Sequence, residues 1–312
     1  MRERQGVLRI KMKTGSGKRR IETKTSRTAE MTCLCRAVSS LEKDPFYRSG
    51  DQIARDLLPG FLRAWVRIPH AGRLLVRAIT AKGIYEYVIA RTKYMDSVFR
   101  QALAERFPQI LIFGTGFDTR ALRFEAEARD TAIFELDAPP TLEAKIAQYR
   151  KRGLSIPSNV VWVPIDFDKE SLPEKLDQAG FQRNIRSLFV LEGVLEYLQP
   201  ESVDRTLRTI QDYSGEGSEI LFNYAHASVI RREGTRYGER GGLETLDRVG
   251  EPWHFGLNEG EIGPFLAKYG FTLIDHRDTR ELEEMYFTNE AGGIVGHVTG
   301  THCLARAVKT AS

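Results

Sequence analysis

The chain has only three cysteines, Cys33, Cys35 and Cys303, among 312 residues. Three thiols cannot build a disulfide framework, and a C-x-C pair without a second pair does not have the spacing of a structural zinc site. The sequence contains no run of 18 apolar residues, so no transmembrane helix is expected. Its N-terminus also lacks the apolar stretch of a secretory signal. These absences favour a cytoplasmic protein with reduced cysteines, no bound metal and no membrane partner.

The net charge of +4 is unevenly distributed. Residues 1–30 hold ten Lys or Arg and three Glu, a net of +7, which leaves the other 282 residues at −3. The mildly acidic body gives no reason to expect a nucleic-acid partner. The basic segment resembles a transit peptide in its Arg, Lys, Ser and Thr content, but it contains acidic residues and only a poor apolar stripe. We therefore expect residues 1–30 to be a disordered tail, with Met31 as an alternative start.

Residues 31–108 are expected to form an N-terminal helical cap. The stretch 84–107 places apolar side chains at roughly helical spacing, and Pro108 ends it. The preceding residues predict shorter helices, broken at prolines. This cap could form a lid over a site on the following domain.

From residue 109 to 312, strand-like and helix-like segments alternate. The predicted strands are 109–113, 131–136, 160–164, 187–191, 219–223, 271–278 and 301–308. The helices predicted between the first five strands are about 119–126, 140–152, 170–180 and 200–214. This alternation predicts an α/β domain with a doubly wound, seven-stranded, mostly parallel sheet. The two late strands predict an antiparallel edge, and the polar stretch 227–258 predicts an insertion over the active edge of the sheet.

Glycines and carboxylates follow the first predicted strands. Gly114, Gly116 and Asp118 follow the first strand, and Asp137 lies 21 residues after Gly116. The dinucleotide motif G-x-G-x-x-G has a third glycine, but Thr119 takes that position here. Asp118 would also repel a pyrophosphate. The spacing of Asp137 suits a ribose of NAD or of S-adenosylmethionine, so a nicotinamide-dependent oxidoreductase remains a disfavoured alternative.

Five ordered elements together resemble the leucine carboxyl methyltransferase family, which includes bacterial polyketide-type O-methyltransferases. They are ART at 90–92, FGTGFDTR at 113–120, FELD at 134–137, DFD at 166–168 and FVLEGVLEYL at 189–198. The resemblance extends from about residue 44 to 225. It implies S-adenosylmethionine as cofactor, a seven-stranded class I methyltransferase fold of the Rossmann-like type, and methyl transfer to an oxygen. A protein that keeps the fold but only binds the cofactor is the alternative.

The resemblance also implies eight cofactor-binding residues. In this role Arg91 pairs with the cofactor's carboxylate, Asp137 holds the ribose hydroxyls, and Glu192 lies beside the methionine portion. Asp166 and Phe167 contact the adenine. The loop that contains Gly114, Gly116 and Asp118 surrounds the methionine half. The full set is Arg91, Gly114, Gly116, Asp118, Asp137, Asp166, Phe167 and Glu192.

Each of these residues also has a structural alternative. The glycines could serve only a tight turn, and Asp118 or Asp166 could cap a helix. Glu135 rivals Asp137, because strand alternation directs it to the opposite face. Asp168 is expected to be the simple cap of the helix at 170–180.

The sequence does not identify the methyl acceptor. A carboxylate acceptor is already ionised at pH 7, whereas a hydroxyl would need a base such as His226 or His254. A lone histidine beside Trp253 and Phe255 is more often structural, so no catalytic residue is assigned. The segments 44–90 and 227–258 are expected to form the acceptor pocket. Their aromatic and basic content suits an aromatic or anionic small molecule, unless the arginines are surface charges: Tyr47, Phe61, Arg63, Trp65, Arg67, Arg231, Arg232, Arg236 and Tyr237.

Overall fold

The computed structural model describes residues 26–68, 71–167 and 169–310. The first 25 residues of the predicted tail lie outside these ranges. The last five do not form a tail, because helix α1 (Arg27–Ser39) begins among them. Ser26 is the N-cap of this helix and accepts a hydrogen bond from Ala29 N at 3.1 Å. The predicted boundary at residue 30 is therefore wrong, and residues 26–30 belong to the fold.

The described residues form one sheet of eight strands. Seven of them coincide closely with the seven predicted strands, and a two-residue strand beside the end of the fifth was not predicted. The strands are β1 (Gln109–Phe113), β2 (Ala132–Asp137), β3 (Val160–Pro164), β4 (Ser187–Leu191), β5 (Glu219–His226), β6 (Gly256–Leu257), β7 (Phe271–Arg277) and β8 (His302–Lys309).

The strand order is β3-β2-β1-β4-β5-β8-β7, with β6 paired to β5. Strands β1 to β5 pair in parallel, whereas β8 runs antiparallel to both β5 and β7. The antiparallel strand therefore lies one position inside the edge instead of at it. The direction of winding reverses between β1 and β4, and ligands of such sheets bind outside the carboxyl ends of the strands at this switch point.

Helices cover both faces of the sheet, as the predicted α/β fold requires. Ser171 caps the helix predicted at 170–180 by accepting a hydrogen bond from Glu174 N at 3.4 Å, and Asp168 lies outside the described residues. No helix in the described part of the chain is both long and apolar enough to cross a membrane. After α1 the helices are α2 (Ala54–Leu57), α3 (Gly60–Val66), α4 (Ala71–Ile79), α5 (Ile84–Ala104), α6 (Arg120–Arg123), α7 (Pro139–Arg152), α8 (Leu172–Gln178), α9 (Pro200–Tyr213), α10 (Ala227–Ile230), α11 (Glu239–Val249), α12 (Ile262–Ala267) and α13 (Thr279–Tyr286), with a 3-10 turn at Leu195–Tyr197.

The core consists of two apolar layers separated by the sheet. Side chains of β1 alternate between them, so Ile110 and Ile112 belong to one layer and Leu111 and Phe113 to the other. The first layer includes α1 and α5, and the second includes α8, α9 and α12. The N-terminal helices are thus part of the main core, and α1 and α5 reach the carboxyl edge of the sheet.

Candidate active site

A cavity of about 510 Å³ opens at the carboxyl edge of the sheet, next to the switch point between β1 and β4. Its volume lies in the range typical of sites for cofactors and small molecules. Within the described residues, no group of three or more His, Cys, Asp or Glu is arranged to hold a metal ion. All eight residues predicted to bind the cofactor border the cavity: Arg91, Gly114, Gly116, Asp118, Asp137, Asp166, Phe167 and Glu192.

Gly114 and Gly116 form the turn after β1 in a conformation that other residues rarely adopt. Their φ angles are +54° and +50°, in the left-handed region that favours glycine. A Cβ atom on Gly114 would lie 2.8 Å from Val194 Cγ2, and one on Gly116 would lie 3.2 Å from Ala29 Cβ. The turn alone therefore accounts for both glycines. Their close approach to a ligand remains a prediction.

Asp137 ends β2 and has both carboxylate oxygens in hydrogen bonds. Oδ2 accepts from Gly116 N at 2.5 Å, and Oδ1 accepts from Ala138 N at 2.7 Å. Burial raises the pKa of Asp137 to about 6, although these two N–H groups act in the opposite direction. Each oxygen keeps a second lone pair, so the side chain can still accept hydrogen bonds from hydroxyls in the cavity.

Glu135, the rival of Asp137, does not border the cavity. Its Oε2 accepts from Lys145 Nζ at 2.7 Å and from Trp162 Nε1 at 3.0 Å. The fully buried Lys145 also donates to Thr115 Oγ1 at 2.8 Å. Glu135 therefore has a structural role, because the Lys145 that it holds links α7 to the glycine turn.

Glu192 follows β4 and lies between two guanidinium groups. Its Oε1 is 2.9 Å from Arg91 Nε, and its Oε2 accepts from Arg120 Nη1 at 2.7 Å. Burial acts to raise the pKa of Glu192, but Arg120, Arg91 and Arg36 outweigh burial and hold the pKa well below its usual value. Glu192 is therefore a carboxylate at neutral pH. The buried Arg91 Nε makes no hydrogen bond of good geometry despite its short distance to Glu192.

Asp118 interacts with the helix that follows it. Its Oδ1 accepts a hydrogen bond from Arg120 N at 2.7 Å, and its Oδ2 pairs with the Arg120 guanidinium. The buried Arg120 also donates to Asp96 Oδ1 at 2.8 Å. Asp118 thus acts as a local cap, the predicted alternative, and joins the charge network of Glu192 through Arg120. A contact with the cofactor's amine remains a prediction.

Asp166 and Phe167 follow β3, on the side of the cavity that is opposite to Glu192 in strand order. The Asp166 carboxylate lies 3.2 Å from Lys169 Nζ. The Phe167 ring packs 6.1 Å from the ring of Phe113 at the end of β1. This pair is therefore separated from Glu192 by β2 and β1, which allows the two ends of a long ligand to be held apart.

The predicted acceptor residues do not form the cavity. None of the nine aromatic and basic side chains assigned to an acceptor pocket borders it. Phe61 and Trp65 on α3 are 68% and 54% exposed. Arg231, Arg232 and Arg236 pair instead with nearby carboxylates at 2.7, 2.6 and 2.8 Å. The prediction of a basic acceptor pocket is therefore wrong, because these arginines already have acidic partners along their own segment or nearby.

Both predicted segments nevertheless reach the cavity through other residues. Ile84 and Tyr87 at the start of α5 contribute to one side. Leu246 on α11, followed by Glu251 and Trp253, contributes to another. The cavity wall in this part is thus mostly apolar and aromatic, with one carboxylate.

Glu251 holds the beginning of α1 beside the cavity. Its carboxylate accepts from Arg27 N at 2.9 Å, from Thr28 N at 3.2 Å and from Ser26 Oγ at 3.1 Å, and it also contacts Thr28 Oγ1. Ser26, Thr28 and Ala29 all border the cavity. A carboxylate at a helix N-terminus is stabilised by the unpaired N–H groups and by the helix dipole. Part of the segment expected to be a tail is therefore part of the cavity wall.

Neither His226 nor His254 borders the cavity. His226 lies in a second cavity, where its Nε2 is 3.3 Å from Cys303 Sγ and burial lowers its pKa to about 4. Among the described residues, the histidine that borders the main cavity is His302, the first residue of β8. Because β8 is antiparallel, its beginning lies at the carboxyl edge of the parallel strands, where His302 pairs with Ala225 of β5.

Comparison with known proteins identifies the family. A family model described as leucine carboxyl methyltransferase matches residues 29–211, more than half of the chain. The chain belongs to the leucine carboxyl methyltransferase family. The cofactor of this methyltransferase is therefore S-adenosylmethionine, and its reaction is methyl transfer from that cofactor.

Individual relatives agree with this family. A candidate S-adenosylmethionine-dependent methyltransferase from Mycobacteroides abscessus is 32% identical over 219 residues, which are 68% of each chain. A candidate methyltransferase of the same kind from Bacillus subtilis, YktD, is 27% identical over 201 residues. That alignment spans 64% of this chain and 66% of YktD, just under two thirds of its length.

A solved structure supports the fold. The crystal structure of a candidate methyltransferase from Thermobifida fusca superposes with a TM-score of 0.55 at 18% identity. The superposition covers 78% of this methyltransferase and 89% of that chain. At this level of identity the similarity shows the fold alone, which is the predicted doubly wound, class I methyltransferase sheet.

The residues around the cavity of the methyltransferase fit S-adenosylmethionine. Two carboxylates, Asp137 and Glu192, face a cavity that must take a sulfonium, an amine and ribose hydroxyls. Arg91 borders the cavity as a buried guanidinium beside Glu192, and its Nε makes no hydrogen bond of good geometry there, so the group suits the carboxylate of the cofactor. Hydrogen-bond acceptors and a guanidinium are thus present where the cofactor's chemistry requires them.

Sequence reasoning missed several residues of this site. Arg120 lies inside the FGTGFDTR element, but nothing in that element indicates that its guanidinium joins Asp118 to Glu192. Arg36 on α1 borders the cavity and donates to Phe117 O at 2.7 Å and to Asp51 at 2.9 Å. No local pattern indicates Arg36, because it reaches the site only through the packing of α1 against the β1 turn.

Proposed function

We propose that this methyltransferase transfers the methyl group of S-adenosylmethionine to an oxygen, a carboxylate or a hydroxyl, of a small molecule. The observation that carries the proposal is the composition of the main cavity. It combines the charged set around Glu192 with an apolar and aromatic compartment bordered by Tyr87, Leu246 and Trp253. The family description, a carboxyl methyltransferase, supports oxygen as the methylated atom.

The proposed roles of the cofactor-binding residues follow from their places on the sheet. Arg91 pairs with the cofactor's carboxylate and Glu192 with its amine, because both flank the turn after β4. Asp137 accepts hydrogen bonds from the ribose. Asp166 and Phe167, on the β3 side, hold the adenine, and this places the two ends of the cofactor at opposite sides of the glycine turn.

The chemistry that the cofactor supplies is an electrophilic methyl group on a sulfonium. The chain must align the acceptor oxygen in line with that methyl and exclude water. The buried charge network of Glu192, Arg91 and Arg120 is suited to alignment, because each member is fixed by a short contact.

The three free, buried cysteines support the expected cytoplasmic location.

Product analysis tests the proposal. The purified full-length chain is incubated with methyl-labelled S-adenosylmethionine and a panel of small carboxylic acids, phenols, alcohols, amines and thiols. Mass spectrometry and NMR then identify the methylated atom. We expect label on oxygen. Label exclusively on nitrogen, carbon or sulfur, or binding of the cofactor without any turnover, would contradict the proposal.

A further inference from the structure

Four described residues that border the cavity have a buried polar atom without a hydrogen bond of good geometry: Arg91 of the predicted cofactor set, and Glu196, Tyr87 and Trp253 outside it. The Tyr87 hydroxyl still interacts with Arg91, and Trp253 interacts with the Tyr197 hydroxyl, so the acceptor left without a partner is Glu196 Oε2. Leaving a buried acceptor unsatisfied costs about 1–3 kcal/mol, so native proteins rarely leave one beside a cavity unless a ligand pairs with it. Glu196 and its aromatic neighbours therefore indicate a second binding subsite next to the cofactor.

Glu196 is held with one oxygen free. Its Oε1 accepts from Asn223 Nδ2 at 2.9 Å and lies 3.7 Å from His302 Nε2, whereas Oε2 has no partner. Asn223 in turn accepts a hydrogen bond from Gly193 N at 2.6 Å. The carboxylate is thus fixed relative to the turn that carries Glu192.

His302 completes the wall between the aromatic residues. Its ring stacks on Tyr87 at 4.6 Å between centroids and meets the edge of Trp253 at 4.7 Å. Burial lowers the pKa of His302, although Glu196 acts to raise it. The imidazole Nδ1 is engaged with Thr301 Oγ1 at 2.8 Å, which leaves Nε2 facing Glu196.

The charges around this subsite disfavour an anionic acceptor. Among the described residues that border the cavity, the cations are Arg36, Arg91 and Lys169. Each already lies against a carboxylate: Arg36 and Lys169 at 2.9 and 3.2 Å, and Arg91, the nearest to Tyr87, at 2.9 Å from Glu192. A carboxylate acceptor beside Glu196 would therefore meet a like charge without a cation of its own.

We propose that Glu196, with Tyr87 and His302, binds a hydroxyl of the acceptor and takes its proton, and that the acceptor is a phenol. This inference rests on the proposed function and narrows it. A phenol donates the hydrogen bond that Glu196 Oε2 lacks, and its ring suits an apolar, aromatic wall. A phenolic proton, with a pKa near 10, is also far easier to remove than that of an alcohol.

The proposed step balances in atoms and charge. The phenol oxygen forms a bond to the methyl carbon as the bond from that carbon to sulfur breaks. The sulfonium becomes a neutral thioether, the phenol becomes a methyl ether, and its proton passes to the Glu196 carboxylate. No oxidant, reductant or metal is needed.

The test compares matched pairs in which a phenol and a benzoic acid share the same ring substituents. Wild type, Glu196→Gln and Glu219→Gln are assayed with labelled cofactor. Glu219 is a control, because it is also a buried carboxylate but pairs with Arg306 at the opposite edge of the sheet. Cofactor affinity by calorimetry and turnover at pH 7 are measured for each protein.

Wild type is expected to methylate the phenols and not the paired acids. Glu196→Gln should lose about 10²–10⁴-fold in turnover, the usual contribution of a general base, while its cofactor affinity stays within about threefold of wild type. Glu196→Asp, which keeps the charge on a shorter side chain, should recover part of the activity, and Glu219→Gln should retain it.

Several outcomes overturn the inference. Turnover of the acids at rates equal to the phenols, or no turnover of any phenol, contradicts the acceptor class. Phenol turnover by Glu196→Gln within a few-fold of wild type contradicts the role of Glu196. Methyl esters as the only products would leave the proposed oxygen methylation intact and reject only this inference, whereas nitrogen or carbon methylation would reject the proposed function itself.

Discussion

At the scale of single residues, Asp137 has a structural and a ligand-binding task. Its two oxygens accept hydrogen bonds from the backbone N–H groups of Gly116 and Ala138, and the residue also borders the cavity. Burial raises its pKa to about 6, so the side chain is mostly charged at pH 7 and mostly protonated at pH 5. Only the charged form can accept hydrogen bonds from both ribose hydroxyls.

Cofactor affinity should therefore fall as the pH falls through 6. We expect the Kd of S-adenosylmethionine to be about 10-fold higher at pH 5 than at pH 7, as one pH unit below the pKa implies. Calorimetry at both pH values measures this change. Asp137→Asn should bind the cofactor more weakly, and its Kd should change much less between pH 7 and pH 5. An equal pH dependence in the variant would assign the effect to another group.

Glu192 is a second residue whose single replacement is informative, because it lies between two buried cations, Arg91 and Arg120. Replacement by Gln removes the charge that lies 2.9 Å from Arg91 and 2.7 Å from Arg120. Breaking a buried ion pair by removing one partner costs about 3–5 kcal/mol, so Glu192→Gln should lower the free energy of unfolding by this amount. Urea denaturation measures it.

The matched control for Glu192→Gln is Glu284→Gln on the exposed surface of α13. Glu284 pairs with Arg280 at 2.8 Å, but both side chains are largely exposed. Such pairs contribute little to stability. If both variants unfold at the same urea concentration as wild type, the buried network does not stabilise the fold as argued.

At the scale of elements, α1 depends on a carboxylate from a distant segment. Glu251 caps its first turn, which borders the cavity. Glu251→Ala should cost about 1–2 kcal/mol, as the loss of a helix cap usually does. It should also speed amide hydrogen exchange over residues 27–32 and weaken cofactor binding, because this turn forms part of the wall.

The capping box of α13 provides the comparison for Glu251. Asp278 accepts from Glu281 N at 2.9 Å and caps a helix that does not border the main cavity. Asp278→Ala should speed exchange in α13 and leave cofactor affinity unchanged. Unaltered exchange at residues 27–32 in Glu251→Ala would show that packing, and not the cap, holds the beginning of α1.

A second contact between elements is the one that Lys145 makes from α7 to the glycine turn. Lys145 reaches both Glu135 and Thr115 from α7 and is fully buried. Lys145→Met removes the cation from a buried ion pair, so we expect about 3–5 kcal/mol of destabilisation in urea. The double variant Lys145→Met, Glu135→Gln should regain part of this loss. A double variant that is less stable than the single one would contradict a paired role.

At the scale of the whole molecule, local patterns predicted the elements well. The apolar runs at β1, β2 and β4 gave strands within one residue of their observed bounds. The residues at their carboxyl ends could be predicted to meet, because parallel strands bring those ends to one edge. That is why Gly114, Asp137 and Glu192 border one cavity.

What could not be predicted depends on long-range packing. The position of β8 between β5 and β7 is not encoded in its alternation, and this position together with its antiparallel direction brings His302 to the active edge. Arg36 and Glu251 are brought to the site through the packing of α1, which no periodicity reveals. The prediction that arginines line the acceptor pocket was wrong for the same reason. The sequence does not indicate which carboxylates these arginines pair with in the fold.

The proposed cofactor site is tested most directly by calorimetry of S-adenosylmethionine binding to wild type and Asp137→Ala. We predict one site per chain in the wild type, no binding of NAD, and about 10–100-fold weaker cofactor binding in the variant, since hydrogen bonds to a charged group contribute about 1.5–3 kcal/mol. Thermal denaturation verifies that the variant is folded. A folded Asp137→Ala chain that binds the cofactor as tightly as wild type would contradict the proposed site.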